Sequence, residues 1–355
     1  MNTEKLIYVF DVQAASFAEL GSPFMAQICA AAAEDIRAGG PSLMLLEPWA
    51  EASRRQMFDE ATPIRLFGAL HDLVLSGQAP ELARHYPTDD SPGDGAAAWR
   101  AAAQMIPSHR DTLASFMTHE PQTNEVRRSA ALLGGFLEAT RLTGGLPFRG
   151  FELGASAGLN QFWNRFHYDL GGGRTWGDGA SAVRIAADWR GAAPDLGQSI
   201  EVVERAACDR RPVDLTDPLQ RRRLEAYVWP DQRSRLANLR AAIDLALAGD
   251  VHVETGDAPV WTRQQAAPKP GALTVVYHSI FIQYVPKDGQ AALVQAIQDH
   301  GAAATPDAPF AWVRLEPDPR DMRTIEVRLT LWPPGKERLL AFAHPHGTWV
   351  DWQAA

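Results

Sequence analysis

Five short apolar runs separated by helical segments occupy the chain from residue 146 onward, and this alternation restricts the fold more than any other feature. The runs are 148–153 (FRGFEL), 199–207 (SIEVVERAA), 251–255 (VHVET), 273–277 (LTVVY) and 310–315 (FAWVRL). Helical stretches fill the gaps, notably 219–248 and 289–300. Leu159, Phe162, Trp163 and Phe166 recur at i, i+3, i+4 and i+7, the stripe of a helix lying on a sheet. Strands that alternate with helices pair in parallel through right-handed crossovers, which produces a doubly wound sheet. The ending breaks the rule. Residues 324–331 and 338–343 are extended runs joined by Trp332-Pro333-Pro334-Gly335-Lys336, a connection that favours an antiparallel hairpin. The predicted fold is α/β, with a mostly parallel seven-stranded sheet ending in that hairpin.

The first 145 residues have different punctuation. Phe24, Ile28 and Ala31 share one helix face, and Ile64, Phe67, Leu70 and Leu73 share another within 63–76. Residues 89–95 (DDSPGDG) form a loop by composition. A helix follows, and Pro107-Ser108 is expected to start a fresh one. Gln122-Thr123-Asn124-Glu125 is expected to open a helix reaching about Leu142, with Thr123 or Asn124 as cap and Glu125 at the positive end. No strand is expected in this half. The chain thus divides into a helical region, 1–121, and a Rossmann-like region, 122–355, interrupted by an inserted hairpin or lid at 166–196.

A formal net charge of -9 over 355 residues argues against broad binding to nucleic acid or an anionic membrane. The two cysteines, Cys29 and Cys208, are too few for a disulfide framework and lack zinc-ligand spacing. No signal peptide or apolar span is evident, so a cytoplasmic location is expected.

The stretch FELGASAGLN (151–160) carries the chemistry, and it has two parsings. As G-x-S-x-G it presents Ser156 as a hydrolase nucleophile, which His278, His300, His344 or His346 would have to serve as base. As E-x-G-x-S-x-G it is a small-residue loop that lets a nucleoside cofactor approach the backbone, with the following helix N-terminus favouring electron-rich groups. The parallel sheet with its terminal hairpin resembles the layout of class I S-adenosylmethionine-dependent methyltransferases. That resemblance implies cofactor-binding roles for Glu152, Gly154, Ala155, Ser156 and Gly158. Asp209, after the second strand, would hold ribose hydroxyls; Asp257 and Ala258, after the third, would meet adenine. The acid at 209 comes later than the roughly 20 residues usual past such a loop, the excess being the 166–196 insertion. His278 and Ser279 end the fourth strand. His278 would act as general base or orient the acceptor, Tyr284 is a second catalytic candidate, and Ser279 would face substrate.

A closer resemblance lies in long runs: QTNEVRRSA (122–130), ELGASAGLN (152–160), WGDGASAVR (176–184), PVDLTD (212–217), VWPDQRSRL (228–236), YHSIFIQY (277–284) and HPHGTW (344–349). With these the chain resembles a bacterial family known only as domain of unknown function 2332. The resemblance implies a methyltransferase-like fold and leaves activity open. Beside it, Gln122, Asn124, Arg233 and Arg235 are candidate substrate-binding residues, the arginines because the neighbouring Trp229-Pro230 turn would fix a fork for a carboxylate or phosphate. His344-Pro345-His346 lacks further ligands in its neighbourhood, so no metal is expected. Three functions stay open: transfer of a methyl group from S-adenosylmethionine to a small-molecule or protein acceptor, a non-catalytic binding protein on the same fold, and a serine hydrolase.

Overall fold

The segment TPIRLFGALHDLVL is apolar on most of its circumference, and the helix it forms, Thr62–Leu75, is buried from Thr62 to Leu73 apart from Ile64. The computed structural model describes residues 3–354, which divide into two compact units: residues up to 123 together with 217–237, and 124–216 together with 238 onward. Thr62–Leu75 belongs to the first. Phe67 on this helix meets Phe10, Phe17 and Trp99 edge-on, with ring centroids 6.1, 6.3 and 6.4 Å apart. Such aromatic pairs add to the burial that drives the unit together.

The other helices of this unit are set by local signals. Pro23–Arg37 begins with proline at its first position, where a missing N–H costs nothing. Gly95–Met117 is capped by Asp94, whose carboxylate accepts the Ala97 N–H at 2.8 Å. Pro107 does not start a new helix as predicted but lies inside this one. The turn before it buries Ala102 and Ile106 and the turns after it bury Leu113 and Phe116, so tertiary burial offsets the lost backbone hydrogen bond. The expected helical stretch 219–248 is two helices, Pro218–Ala226 in this unit and Arg233–Ala248, of which residues 238–248 belong to the second. Trp229 between them stacks edge-on against Phe17 at 5.0 Å. Asp231 accepts the Ser22 hydroxyl at 2.6 Å and the Phe24 N–H at 3.0 Å, capping Pro23–Arg37 from a distant part of the chain.

The second unit contains all twelve strands of the described residues: β1 (Phe148–Leu153), β2 (His167–Asp169), β3 (Thr175–Gly177), β4 (Arg184–Ala186), β5 (Asp188–Arg190), β6 (Val202–Asp209), β7 (Glu254–Thr255), β8 (Leu273–Ser279), β9 (Phe310–Asp318), β10 (Asp321–Trp332), β11 (Lys336–Ala343) and β12 (Trp349–Trp352). The main sheet runs β5-β12-β11-β10-β9-β8-β1-β6-β7. It has nine strands rather than the seven expected. The five from β7 to β9 are parallel throughout, and β9 to β12 form an antiparallel meander. β5, three residues from the insertion, adds a parallel edge against β12. Strands this short leave too little alternation to read. The rest of the insertion forms a separate three-stranded sheet, β3-β2-β4.

Helices cover both faces of the large sheet. Ser129–Leu142 is buried from Ser129 to Thr140, and its Phe136 meets Phe148, Trp163 and Tyr277 at 5.4, 4.4 and 5.1 Å. Gly134 and Gly135 allow it to approach: a Cβ there would lie 2.4 Å from Trp352 and 2.5 Å from Val313. On the other face Trp261, Leu293 and Ile297, from helices Ala258–Gln265 and Lys287–Ala303, pack on Phe151, Leu153 and Val276.

Two expectations fail next to β1. The stripe 159–166 is a 3₁₀ segment, Leu159–Arg165, kinked at Phe162, not an α-helix on the sheet. Asn160 and Gln161 are buried along with the apolar positions, so the spacing records burial on every side rather than one helical face. The helix expected from 122 starts at Ser129, after a 3₁₀ turn Val126–Arg128. Asn124 and Glu125 do other work, described below.

Candidate functional site

In a parallel sheet the carboxyl ends of the strands flank a crevice where the strand order reverses, here between β1 and β8. β1 ends in Glu152-Leu153 and the chain turns at once through Gly154, Ser156 and Gly158, all with positive φ (65°, 54° and 73°). Glycine adopts this conformation without strain; Ser156 does so at a cost. Its N–H donates to Asp209 Oδ2 at 2.8 Å, which fixes the loop across β6. Ala155 N–H donates to the Cys208 carbonyl at 3.1 Å, and Val213 N–H to that of Ser156 at 3.1 Å. Asn124 lies on the same loop: its Oδ1 accepts the Leu159 N–H at 3.0 Å. The Glu125 carbonyl accepts from Asn160 Nδ2 at 3.4 Å, while its Oε1 takes the Arg127 N–H at 3.1 Å. These bonds leave residues 124 and 125 non-helical and give Asn124 a structural role on the loop.

The three strand-end acids differ in what they still offer. Asp209 is spent largely on backbone, since its Oδ1 also accepts the Arg211 N–H at 2.8 Å. Asp257 precedes helix Ala258–Gln265 at the capping position, yet its side chain caps nothing, is exposed and makes no hydrogen bond among the described residues. Ala258 beside it is buried. Glu152 is only 5% exposed, and Oε2 has no partner. Burial, and secondarily the charge of Asp209, pushes its carboxyl well above the ordinary carboxylate range. Burying a carboxyl oxygen without a hydrogen bond is costly.

The opposite wall comes from β8. His278 is 1% exposed, with Nδ1 2.6 Å from Glu316 Oε1 and Nε2 accepting the Trp312 indole N–H at 3.0 Å. An indole nitrogen can only donate, so Nε2 is unprotonated and Nδ1 carries the proton given to Glu316. Both ring nitrogens are committed. In this structure His278 therefore presents no free lone pair at the strand end. Glu316 Oε1 also accepts the Phe281 N–H at 2.8 Å, so this cluster fixes the turn after β8. Ile280 in that turn has φ 49°, a left-handed conformation strained for a β-branched residue. Phe281 then lies against the loop: a Cβ on Gly154 would be 2.2 Å from its ring. Val251 and Val253 close on Gly158 in the same way, and the His252 carbonyl accepts from Gln161 Nε2 at 3.1 Å. Tying 251–253 to the loop explains why β7 is two residues where five were expected.

Ser279 is half-buried and Tyr284 is 70% exposed, and neither side chain is hydrogen-bonded among the described residues. Gln122, Arg233 and Arg235 belong to the first unit, not to the one that carries the loop. Arg233 pairs with Asp89 at 2.8 Å, and Arg235 donates to Gln232 and lies 5.7 Å from the Trp229 ring centre. The Trp229-Pro230 turn beside them is held by the contact of Trp229 with Phe17. Glu316 and Trp312 escaped the sequence reading. An acid directly after the apolar run 310–315 was the available signal, the same pattern that pointed to Asp209.

Ser156 Oγ is buried and has no hydrogen-bond partner, so no base stands ready to take its proton. The native protein is expected to stay unlabelled by a fluorophosphonate probe under conditions that label a control serine hydrolase; stoichiometric labelling lost in Ser156→Ala would restore the hydrolase.

Comparison with known families adds one fact. A family model described as an uncharacterized protein conserved in bacteria, DUF2332, matches residues 8–352. The chain belongs to the DUF2332 family. The match spans both units, so in this protein the helical part and the sheet part are features of the family. No curated protein and no solved structure matches the chain. No helix among the described residues is long and apolar enough to cross a membrane, and none of their His, Cys, Asp and Glu side chains form a group able to hold a metal.

Proposed function

We propose that this DUF2332 protein binds S-adenosylmethionine at the carboxyl ends of β1, β6 and β7 and transfers its methyl group to a small-molecule or protein acceptor. The observation that carries the reading is Glu152, a buried carboxyl whose Oε2 has no hydrogen-bond partner, at the foot of a tight small-residue loop and coupled to Asp209. The strand order supports it, since β7-β6-β1-β8-β9 puts this loop at the reversal point where open parallel sheets receive ligands. Asp257 has its carboxylate unengaged at the end of β7, available to an adenine amino group. Asp209 shapes the loop through the Ser156 N–H and presents its remaining lone pairs to ribose hydroxyls.

When bound, the cofactor supplies a methyl group already activated by its sulfonium. The protein's part is then alignment of the acceptor for in-line displacement, with Ser279 and Tyr284 at the strand end nearest the turn. His278 keeps the Glu316–Phe281 turn in place and takes no proton from the acceptor. Calorimetry with S-adenosylhomocysteine tests the reading, and Asp257→Ala should weaken binding by about 10- to 100-fold, the worth of a hydrogen bond to a charged group. Because Asp257 makes no cap bond, the thermal midpoint of that variant should match the parent. Absence of heat and of any thermal shift at millimolar ligand would sink the proposal.

A non-catalytic binding protein is the second reading, favoured by the commitment of both His278 nitrogens and by Phe281 over Gly154. It predicts cofactor-independent partner binding and no transfer of labelled methyl to any acceptor in a cell extract.

A further inference from the structure

Glu152 sits on the sheet face covered by Ser129–Leu142, and the groups around it decide its protonation. β6 brings Asp209 and carries Arg205, β8 brings Tyr277, and the segment before the covering helix carries Arg127 and Arg128. Each cation is committed elsewhere: Arg205 donates to the Gln161 carbonyl at 3.0 Å and Asn164 Oδ1 at 2.9 Å. Arg127 and Arg128 donate to the carbonyls of His346 and Pro345 at 2.9 and 2.8 Å. Tyr277 offers its hydroxyl to the Asn160 carbonyl at 3.4 Å and is itself pushed up by burial and by Glu152. Glu152 Oε2 has no hydrogen-bond partner among the described residues, and the charge its carboxyl feels is that of the like-charged Asp209.

A carboxyl in such surroundings avoids ionising until something compensates it. We propose that Glu152 is a neutral acid in the ligand-free protein and that binding of the cofactor's cationic amino-acid end expels its proton to solvent, making binding proton-coupled. This rests on the cofactor reading above and adds a regulatory property to that site. The carboxylic O–H bond breaks, the proton passes to buffer, and the carboxylate that remains would accept from the ligand's ammonium. Affinity then rises with pH, by up to tenfold per unit, until the pH passes the point where the free protein's carboxyl ionises unaided.

The fold itself carries the matching sign. A carboxyl raised in the folded state leaves stability fully present below the ordinary carboxylate range and progressively lost as pH rises towards the raised value. Glu152→Gln, isosteric and neutral, should therefore fold, with a thermal midpoint equal to the parent near pH 4 and increasingly above it towards pH 7.

Titration calorimetry with S-adenosylhomocysteine in buffers of different ionisation enthalpy counts the protons. The parent is expected to release up to one proton per ligand at neutral pH, and Glu152→Gln none, with weaker binding. Binding by the parent without proton release overturns this inference and leaves the cofactor reading intact; no binding by the parent overturns both. Infrared difference spectra of ligand-free parent against Glu152→Gln give an independent arm. A protonated-carboxyl band at pH 7 that vanishes in the variant supports the proposal, and its absence from the parent refutes it.

Discussion

Gly154→Ala is expected to lower the unfolding free energy by about 2–4 kcal/mol, combining left-handed backbone strain with overpacking in a filled site. Gly154 has φ 65°, and the added methyl would lie 2.2 Å from the nearest ring atom of Phe281. The two costs separate in a double-mutant cycle. Phe281→Ala removes the obstacle, so adding Gly154→Ala to that variant should cost only about 1 kcal/mol, the backbone part. Denaturant midpoints measure both steps. Equal losses with and without Phe281 would show that the ring is not pressed on the loop. On the proposed cofactor reading, weaker binding should accompany the first step, because the loop cannot keep its bend while accommodating the methyl.

The second large effect lies in the helical unit. Arg65 is 6% exposed and donates to three backbone carbonyls: Glu60 at 2.6 Å, Met117 at 2.9 Å and His119 at 2.7 Å. Met117 is the last residue of helix Gly95–Met117, whose final carbonyls have no partner within the helix, and His119 lies two residues beyond it. Arg65→Ala should cost about 3 kcal/mol or more, since charged hydrogen bonds and the packing of the stem are lost together. Arg65→Lys should fall between the two, as a point donor cannot serve three acceptors spread across a guanidinium. An unchanged urea midpoint in the alanine variant would show that solvent replaces the guanidinium without penalty.

Legibility varied along the chain for identifiable reasons. β1 was readable to the residue because an apolar run meets glycine on its far side and its side chains are buried on both faces. The end of β6 was readable through Asp209, although pairing begins at Val202 rather than 199. The run 159–166 misled because helical spacing is informative only when the intervening positions are exposed, and Asn160 and Gln161 are not. Pro107 misled because a local breaker yields when both flanking turns are buried. Arg233 and Arg235 had the right chemistry for an anion, and no periodicity reveals that 217–237 folds with the first unit.

His278 shows the boundary most clearly. Its residue type and place at a strand end are visible in the sequence, and both point to a base. Glu316 and Trp312, which occupy its two nitrogens, come from the adjacent strand β9, more than 30 residues away along the chain. What the sequence alone determined is the set of strand ends, the bend of small residues after β1 and the acids that face it, because each depends on local composition and spacing. Only the tertiary structure decided which of those acids and bases remain available, because hydrogen-bond saturation depends on partners delivered by neighbouring strands. By that measure Glu152 and Asp257 stay open, Asp209 is largely engaged and His278 is closed.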